Sequence, residues 1–180
     1  MTFSNPAGNA SAAATGYVRA LLDLLGSRNP LDVMAELVPW LEARLLTGSE
    51  SALRKPEAPG KWSVVQVVQH LADSDLVAGY RIRMVVAENS PPLQGYDQDR
   101  WAREFQYDQV PLAAALDQLR SLRTANLRLW NRLTSDQLER VGVHSERGPK
   151  ALVTFCGSWE PTIWCIGAKS TGFWPRVADV

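Results

Sequence analysis

Three side chains that could bind a metal ion or exchange a proton lie close together near the middle of the chain: His70, Asp73 and Asp75. A histidine and a carboxylate three positions apart share one side of a helix, so the Asp73 carboxylate could accept a hydrogen bond from a histidine N–H. A solvated carboxylate is an equally good interpretation of Asp73. A lone histidine beside an apolar stripe is more often a hydrogen-bonded structural residue than a ligand, and one imidazole does not hold zinc or nickel. The residues alone therefore favour a structural role for His70 over metal binding.

Asp75 is unusual because a helical wheel places it on the apolar side of the segment, with Ala78 and Ile82. A carboxylate buried there must find a partner or keep its proton. Arg81, Arg83 or an arginine from another helix could be that partner. We therefore predict that Asp75 is buried and is either paired with an arginine or shifted to a raised pKa.

The helix that carries these residues is predicted from Ser63 to Glu88. Pro59 and the following glycine stop what precedes it, and Ser63 with Gln66 forms the S-x-x-Q pattern of a capping box. The four valines within 64–68 could be mistaken for a strand. The length and the 3.6-residue apolar period of the segment favour a helix.

The rest of the chain up to residue 140 also has helical patterning. One helix is predicted from Thr15 to Gly26, and a second from Pro30 with Gly48 as its stop, kinked or started late by Pro39. A fourth long helix is predicted to begin with Pro111 as its first residue and to continue to leucine 133.

Together these segments predict an all-α fold, a four-helix bundle formed by residues 15 to 140, with no convincing strand. Asn89 to Asp97 is predicted to be a loop, and Thr134 to be the N-cap of a further turn. One shared core is predicted to contain Leu71, Ile82, Leu116, Leu122 and Leu129.

The C-terminal segment 155–180 does not have the pattern of a last helix. It has no helical apolar period and is interrupted by glycines and prolines. Its two cysteines, Cys156 and Cys165, have neither C-x-x-C spacing nor the pattern of a disulfide framework, so we assign them no role. The predicted organisation is a disordered leader 1–12, a helical bundle 13–154 and an aberrant tail 155–180 with a disrupted last helix.

Composition excludes several classes of function. Lysine plus arginine and aspartate plus glutamate number 19 each, which argues against a nucleic-acid or anionic-lipid partner. No apolar run is long enough to span a membrane, and the polar start lacks the design of a signal peptide. We expect a cytoplasmic protein with a small-molecule substrate and, as a candidate assembly, a homodimer.

Three strings match one family at the expected spacing: Lys55 to Asp75, P-P-L-Q-G-Y-D-Q-D-R-W from Pro91 to Trp101, and R-V-G-V-H-S-E-R-G from Arg140 to Gly148. With them, residues 17 to 154 resemble the DinB-like (YfiT-like) family of metal-dependent hydrolases and thiol transferases. The resemblance implies a four-helix bundle that holds a divalent metal of the nickel, zinc or iron class through three histidines.

The resemblance implies that His70 is one of these ligands and that two more come from an H-x-x-x-H pair on the last helix. The chain has only two histidines, and His144 lies in the V-G-V-H string, which is not the ligand pair in the family and is interpreted as a loop. In the G-Y-D-Q-D-R-W string an aspartate and an arginine could line the mouth of a pocket, although capping by Asp97 is the simpler account.

A frameshift near Thr154 to Cys156 is our hypothesis for the missing pair; a naturally divergent tail is the alternative. With common GC-rich codons, the shifted frame can encode L-R-E-L-G-A-H-D-L-V-H-R-R-Q-I, an amphipathic stretch with H-x-x-x-H, whose histidines would share one helical face. Two functions follow: a metal-dependent hydrolase or thiol transferase that is impaired in this chain, or a non-catalytic helical bundle without metal. The substrate stays open under both.

Overall fold

The computed structural model describes residues 26–56 and 58–154, which form packed helices and one small sheet. The predicted leader, the helix predicted from Thr15 to Gly26 and the tail 155–180 fall wholly or almost wholly outside these residues. No helix in the described ranges is long and apolar enough to cross a membrane. The helices are α1 Pro30–Leu45, α2 Glu50–Leu53, α3 Val64–Ala87, α4 Gln98–Glu104, α5 Leu112–Trp130 and α6 Ser135–Leu138, with a 3-10 turn at Tyr107–Gln109.

Helix α3 begins as the sequence predicts. The Ser63 hydroxyl accepts from the backbone N–H of Gln66 at 3.4 Å, and the Gln66 side chain accepts from the backbone N–H of Ser63 at 2.8 Å. This reciprocal capping satisfies two N–H groups that the first turn would otherwise leave unpaired. The valine-rich segment is helical, and the prediction of a helix there is confirmed.

The ends of the other long helices differ from the prediction by a few residues. Helix α1 ends at Leu45, before the predicted stop at Gly48, and it continues through Pro39, which therefore does not delay its start. Helix α5 begins one residue after Pro111, which is its N-cap, and it ends at Trp130. Proline at the N-cap is tolerated because no helical N–H is lost there. The N-cap predicted at Thr134 is confirmed by a capping box.

The chain also contains a three-stranded sheet, so the prediction of helices alone is wrong in this respect. The strands are β1 Pro92–Leu93, β2 Val141–His144 and β3 Gly148–Ala151. β1 pairs with β2 in parallel, and β2 pairs with β3 as a hairpin. The sheet packs closely against the C-terminal part of α3. At Gly142 a Cβ atom would come within 2.7 Å of the Val85 side chain.

The apolar core is divided into two clusters, so the single shared core that the sequence predicts is wrong. Leu71 and Leu116 belong to one cluster, whereas Ile82 belongs to the other and Leu129 packs against it. Leu122 is half-buried and belongs to neither cluster. The reason is a set of buried polar side chains on α3 and α5 at intermediate positions along both helices.

This polar layer is formed by Asp75 of α3 with Arg123 and Asn126 of α5, all of them at most 2% exposed. Asp75 Oδ2 accepts a hydrogen bond from Arg123 Nε at 2.9 Å and forms an ion pair with Nη2 at 2.8 Å. Asn126 Nδ2 donates to the Asp75 backbone carbonyl at 2.8 Å and to Oδ1 at 3.1 Å. The prediction of a buried Asp75 paired with an arginine is confirmed, and the arginine comes from another helix.

Burial raises the pKa of Asp75, and the charge and hydrogen bonds of Arg123 act in the opposite direction. Arg123 Nε and Asn126 Nδ2, which hydrogen-bond to the Asp75 carboxylate, can only donate. The carboxylate therefore acts as the acceptor in both bonds, which fits its ionised form. Gly79 leaves room for this contact, because a Cβ atom there would lie 2.3 Å from Asn126 Oδ1.

Replacing Arg123 with methionine should lower the free energy of unfolding by about 3–5 kcal/mol, because it leaves a buried carboxylate without its counter-charge. Arg120→Met is the matched control: Arg120 lies on the same helix but pairs with Glu42 and Asp117 at the surface, where water and salt screen the charges and a salt bridge contributes little. Urea unfolding of both variants tests this. Equal losses would show that the buried pair is not the main contact between α3 and α5.

Candidate functional site

The candidate metal ligand, His70, is buried on α3, with 2% of its surface exposed. Its Nε2 atom lies 3.4 Å from the Ser74 hydroxyl, one helical turn further along. The rings of Trp62 and His70 pack in an edge-to-face arrangement, with centroids 5.0 Å apart. His70 Nδ1 is buried and has no hydrogen-bond partner among the described residues. Such an atom normally has a partner, which makes Nδ1 the candidate donor to a metal ion.

Burial lowers the pKa of His70 from 6.5 to about 4. The imidazole is therefore neutral at pH 7, which is the form that coordinates a metal. Because the cause is desolvation, the same neutral state also suits a histidine that is simply enclosed in the core.

Tyr96 completes a chain of hydrogen-bonding groups that begins at His70. Its hydroxyl lies 3.2 Å from the Ser74 hydroxyl, so Ser74 connects the imidazole to the phenol. The Tyr96 ring packs on Trp101 with centroids 4.5 Å apart. Burial raises the pKa of Tyr96, so the phenol keeps its proton at neutral pH.

Asp97, the next residue of the G-Y-D-Q-D-R-W string, has a structural role. The Asp97 carboxylate caps α4 by accepting from the backbone N–H of Arg100 at 2.9 Å, which confirms the simpler account. Asp99 and Arg100 are exposed. Of this string, Tyr96 is the residue that reaches the neighbourhood of His70.

Asp73 neither contacts a histidine nor faces solvent, so both predictions for it are wrong. It is 7% exposed and accepts hydrogen bonds from the Tyr107 hydroxyl and from the Gln69 and Gln118 amides, each amide at 3.2 Å to Oδ1. Burial raises the pKa of Tyr107, and the hydrogen bond and charge of Asp73 add to the shift. This network attaches the 3-10 turn to α3. Tyr107 lies 34 positions from Asp73, and no local pattern could have identified it.

His144 is a buried residue of β2 and not a loop residue, which corrects the prediction. Its Nδ1 atom accepts from the backbone N–H of Glu146 at 3.1 Å. Burial lowers its pKa to about 4, and the charges of Arg81 and Arg147 contribute. His144 is thus bound within the sheet region, and it does not form a metal-binding group with His70.

Within 26–56 and 58–154, no group of three or more histidine, cysteine or carboxylate side chains is arranged to hold a metal ion. The unpaired Nδ1 atom fits one coordinate bond, and the described residues do not supply the other two or three that a metal site needs. The cysteines and the rest of the tail lie outside the described residues.

A model of the DinB superfamily matches residues 34–157. Two similar proteins of Oceanobacillus iheyensis, both provisionally named as metal-dependent hydrolases, are 33% identical over 89 residues and 31% identical over 100 residues. These alignments cover 49% and 56% of this chain, and 51% and 57% of the relatives. The chain therefore spans about half the length of the curated relatives it matches.

A solved structure is similar over a larger part of the chain. YfiT from Bacillus subtilis, described as a probable metal-dependent hydrolase with an unusual four-helix bundle topology, superposes with a TM-score of 0.74 at 25% identity. The match covers 80% of this chain and 83% of YfiT. The bundle expected from the sequence is therefore confirmed, with the small sheet as an addition.

The burial of His70 predicts a pH-dependent stability. Because its folded-state pKa of about 4 lies below the unfolded value of 6.5, the unfolded chain binds more protons between these limits. The contribution of neutral His70 to the free energy of unfolding is complete above about pH 6.5 and is lost as the pH falls towards 4. Between pH 7 and pH 5 the parent protein should lose about 1–2 kcal/mol more unfolding free energy than His70→Gln.

Urea unfolding at several pH values measures this difference. His144→Gln is the matched comparison. It should also reduce the loss of unfolding free energy between pH 7 and pH 5, since the pKa of His144 is lowered to about 4 as well. An identical pH dependence in the parent and His70→Gln would contradict a neutral, buried imidazole at this position.

Proposed function

Because the chain belongs to the DinB superfamily, we propose that it is a metal-dependent hydrolase or thiol-transferase scaffold in which His70 is the retained metal ligand. The observation that supports this best is the buried Nδ1 atom of His70, which has no hydrogen-bond partner among the described residues. The provisional names of the relatives agree with this class of chemistry.

A divalent metal at this position would supply Lewis-acid activation of a water molecule or a thiol at neutral pH. The described residues have supporting roles. Burial keeps His70 neutral, and Ser74 holds its Nε2 side, which leaves Nδ1 as the donor. The Tyr96 hydroxyl, linked through Ser74, is a protonated donor close to the same site.

We further propose that metal-dependent activity is impaired in this chain. The sequence has two histidines, and the second, His144, uses its Nδ1 atom to accept a hydrogen bond within the sheet region. An H-x-x-x-H pair is absent from the sequence, so a three-histidine site cannot form within one chain. The frameshift near Thr154 to Cys156 remains our explanation.

A non-catalytic helical bundle is the second candidate, and the histidine count favours it. His70 packs against Trp62, as a histidine enclosed in a protein core can do, and a neutral imidazole needs no metal. The two candidates differ in one measurable property, which is the affinity for nickel or zinc. Under the first we propose a small-molecule substrate in the cytoplasm. Under either, no nucleic-acid or membrane partner is expected, and a homodimer is the candidate assembly.

The assignment of His70 as a metal ligand is tested by titrating the metal-free protein with nickel and zinc and measuring the binding by calorimetry. We expect weak binding that His70→Ala abolishes and His144→Ala retains, because one imidazole supplies a single strong donor. Stoichiometric tight binding that survives His70→Ala would contradict the assignment. No detectable binding by the parent protein would support the non-catalytic alternative.

The frameshift hypothesis has its own test. A variant whose residues 155–180 are replaced by the shifted-frame sequence should bind one ion per chain, because it gains two histidine nitrogens on one helical face. His70→Ala in that background should weaken binding by at least about tenfold. If the variant binds no metal, the frameshift does not account for the missing site.

A further inference from the structure

One side of α3 carries polar groups well beyond His70. These groups are His70, Ser74 and Arg81. They lie along one stripe of the helix, because the steps from 70 to 74, from 74 to 77 and from 77 to 81 are four, three and four residues. At a rise of about 1.5 Å per residue, the backbone of Arg81 lies about 16 Å further along the axis than that of His70. The Cα–Cβ bond of a helical residue is tilted towards the N-terminus, which is the direction of Ser74.

Arg81 is half-buried, and its positive charge is only partly compensated by its contacts. Nη2 donates to the backbone carbonyl of Gln94, in the loop that also carries Tyr96. Arg81 has no carboxylate within 4.0 Å among the described residues, although five other ion pairs are recorded there. A guanidinium has five N–H donors in a planar fork, so several remain available.

A second arginine comes from the β2–β3 turn. The turn is fixed against the loop before Tyr96, because the backbone N–H of Gly95 donates to the Ser145 hydroxyl at 3.0 Å and Leu93 pairs with His144. Arg147 lies in this turn, is exposed, and forms no ion pair within the described ranges.

The charges of this region are unbalanced. Burial lowers the pKa of Arg81, the charge of Arg147 lowers it further, and both arginines lower the pKa of His144. Glu146 is the carboxylate that acts in the opposite direction on Arg81, without an ion pair. Neutral His144 adds no positive charge, so two guanidiniums and one carboxylate, that of Glu146, give a net positive charge to the region where the Tyr96 loop meets α3 and the turn.

We propose that Arg81 and Arg147 bind the anionic group, a carboxylate or a phosphate, of an elongated small molecule whose other end lies near His70. A guanidinium fork recognises such groups bidentately. The Tyr96 hydroxyl lies between the two ends and is affected by the charges of both arginines. The position of the reacting end depends on the proposed function, whereas the anion site does not.

The anion site can be tested without any metal. Malonate and inorganic phosphate are titrated into the full-length metal-free protein, with binding followed by calorimetry and by chemical-shift changes. We expect at least one anion to bind, and Arg81→Met to weaken its binding by about tenfold or more, the range for loss of charged hydrogen bonds. Arg81→Lys should be intermediate because it keeps the charge and loses the fork.

Matched variants separate the site from general charge. Arg83→Met removes an exposed arginine two residues away that bonds the Gly79 carbonyl, and it should leave affinity within about twofold. Glu146→Gln removes the opposing carboxylate and should strengthen binding. Arg147→Met should weaken it. Circular dichroism and thermal unfolding verify that each variant is folded, and an unfolded Arg81→Met is replaced by Arg81→Lys and Arg147→Met as the deciding pair.

Each outcome decides the proposal. Preference for malonate assigns a carboxylate, and preference for phosphate assigns a phosphoryl group. If neither anion binds, or if Arg83→Met weakens binding as much as Arg81→Met, the anion site is overturned. His70→Ala should leave anion affinity unchanged, so a failure of the metal proposal is distinguishable from a failure of this one.

Discussion

The buried ion pair between Asp75 and Arg123 is the interaction on which the rest of this structure depends. Two charges taken out of water are stable only with good geometry and further hydrogen bonds, and Asn126 of α5 supplies two such bonds to Asp75. The pair fixes how far α3 and α5 can slide along each other, because a shift of one turn would separate the charges. Two apolar clusters form on either side of this layer, and Gly79 allows the helices to approach closely there.

A second polar network places the loops that surround the candidate site. Asp73 holds the 3-10 turn through Tyr107 and reaches α5 through Gln118. These contacts attach the segment after α4 to the bundle. With Asp97 capping α4, they keep Tyr96 against Ser74. The two consecutive polar clusters on α3 therefore have separate tasks, one between the long helices and one between helix and loop.

The result is a helix face with different electrostatic character at its two ends. His70 is neutral because it is desolvated. Arg81 carries a guanidinium, which stays protonated in proteins, and it bonds to the loop that is joined to the turn carrying Arg147. A neutral nitrogen donor at one end, and two guanidiniums with one nearby carboxylate at the other, are features that the proposed site for a metal and an anionic substrate needs. The proposed metal site would need donors that the sequence does not supply as histidines.

The sequence by itself determined the elements whose signals are local. The capping box at Ser63, the apolar period of α3 and the unfavourable position of Asp75 on that helix were sufficient to predict a helix and a buried, paired carboxylate. Tertiary structure decided the partners, since Arg123 and Tyr107 lie 48 and 34 positions away. It also decided the sheet that buries His144, because these strands are two to four residues long and gain stability only from pairing with each other and packing on α3.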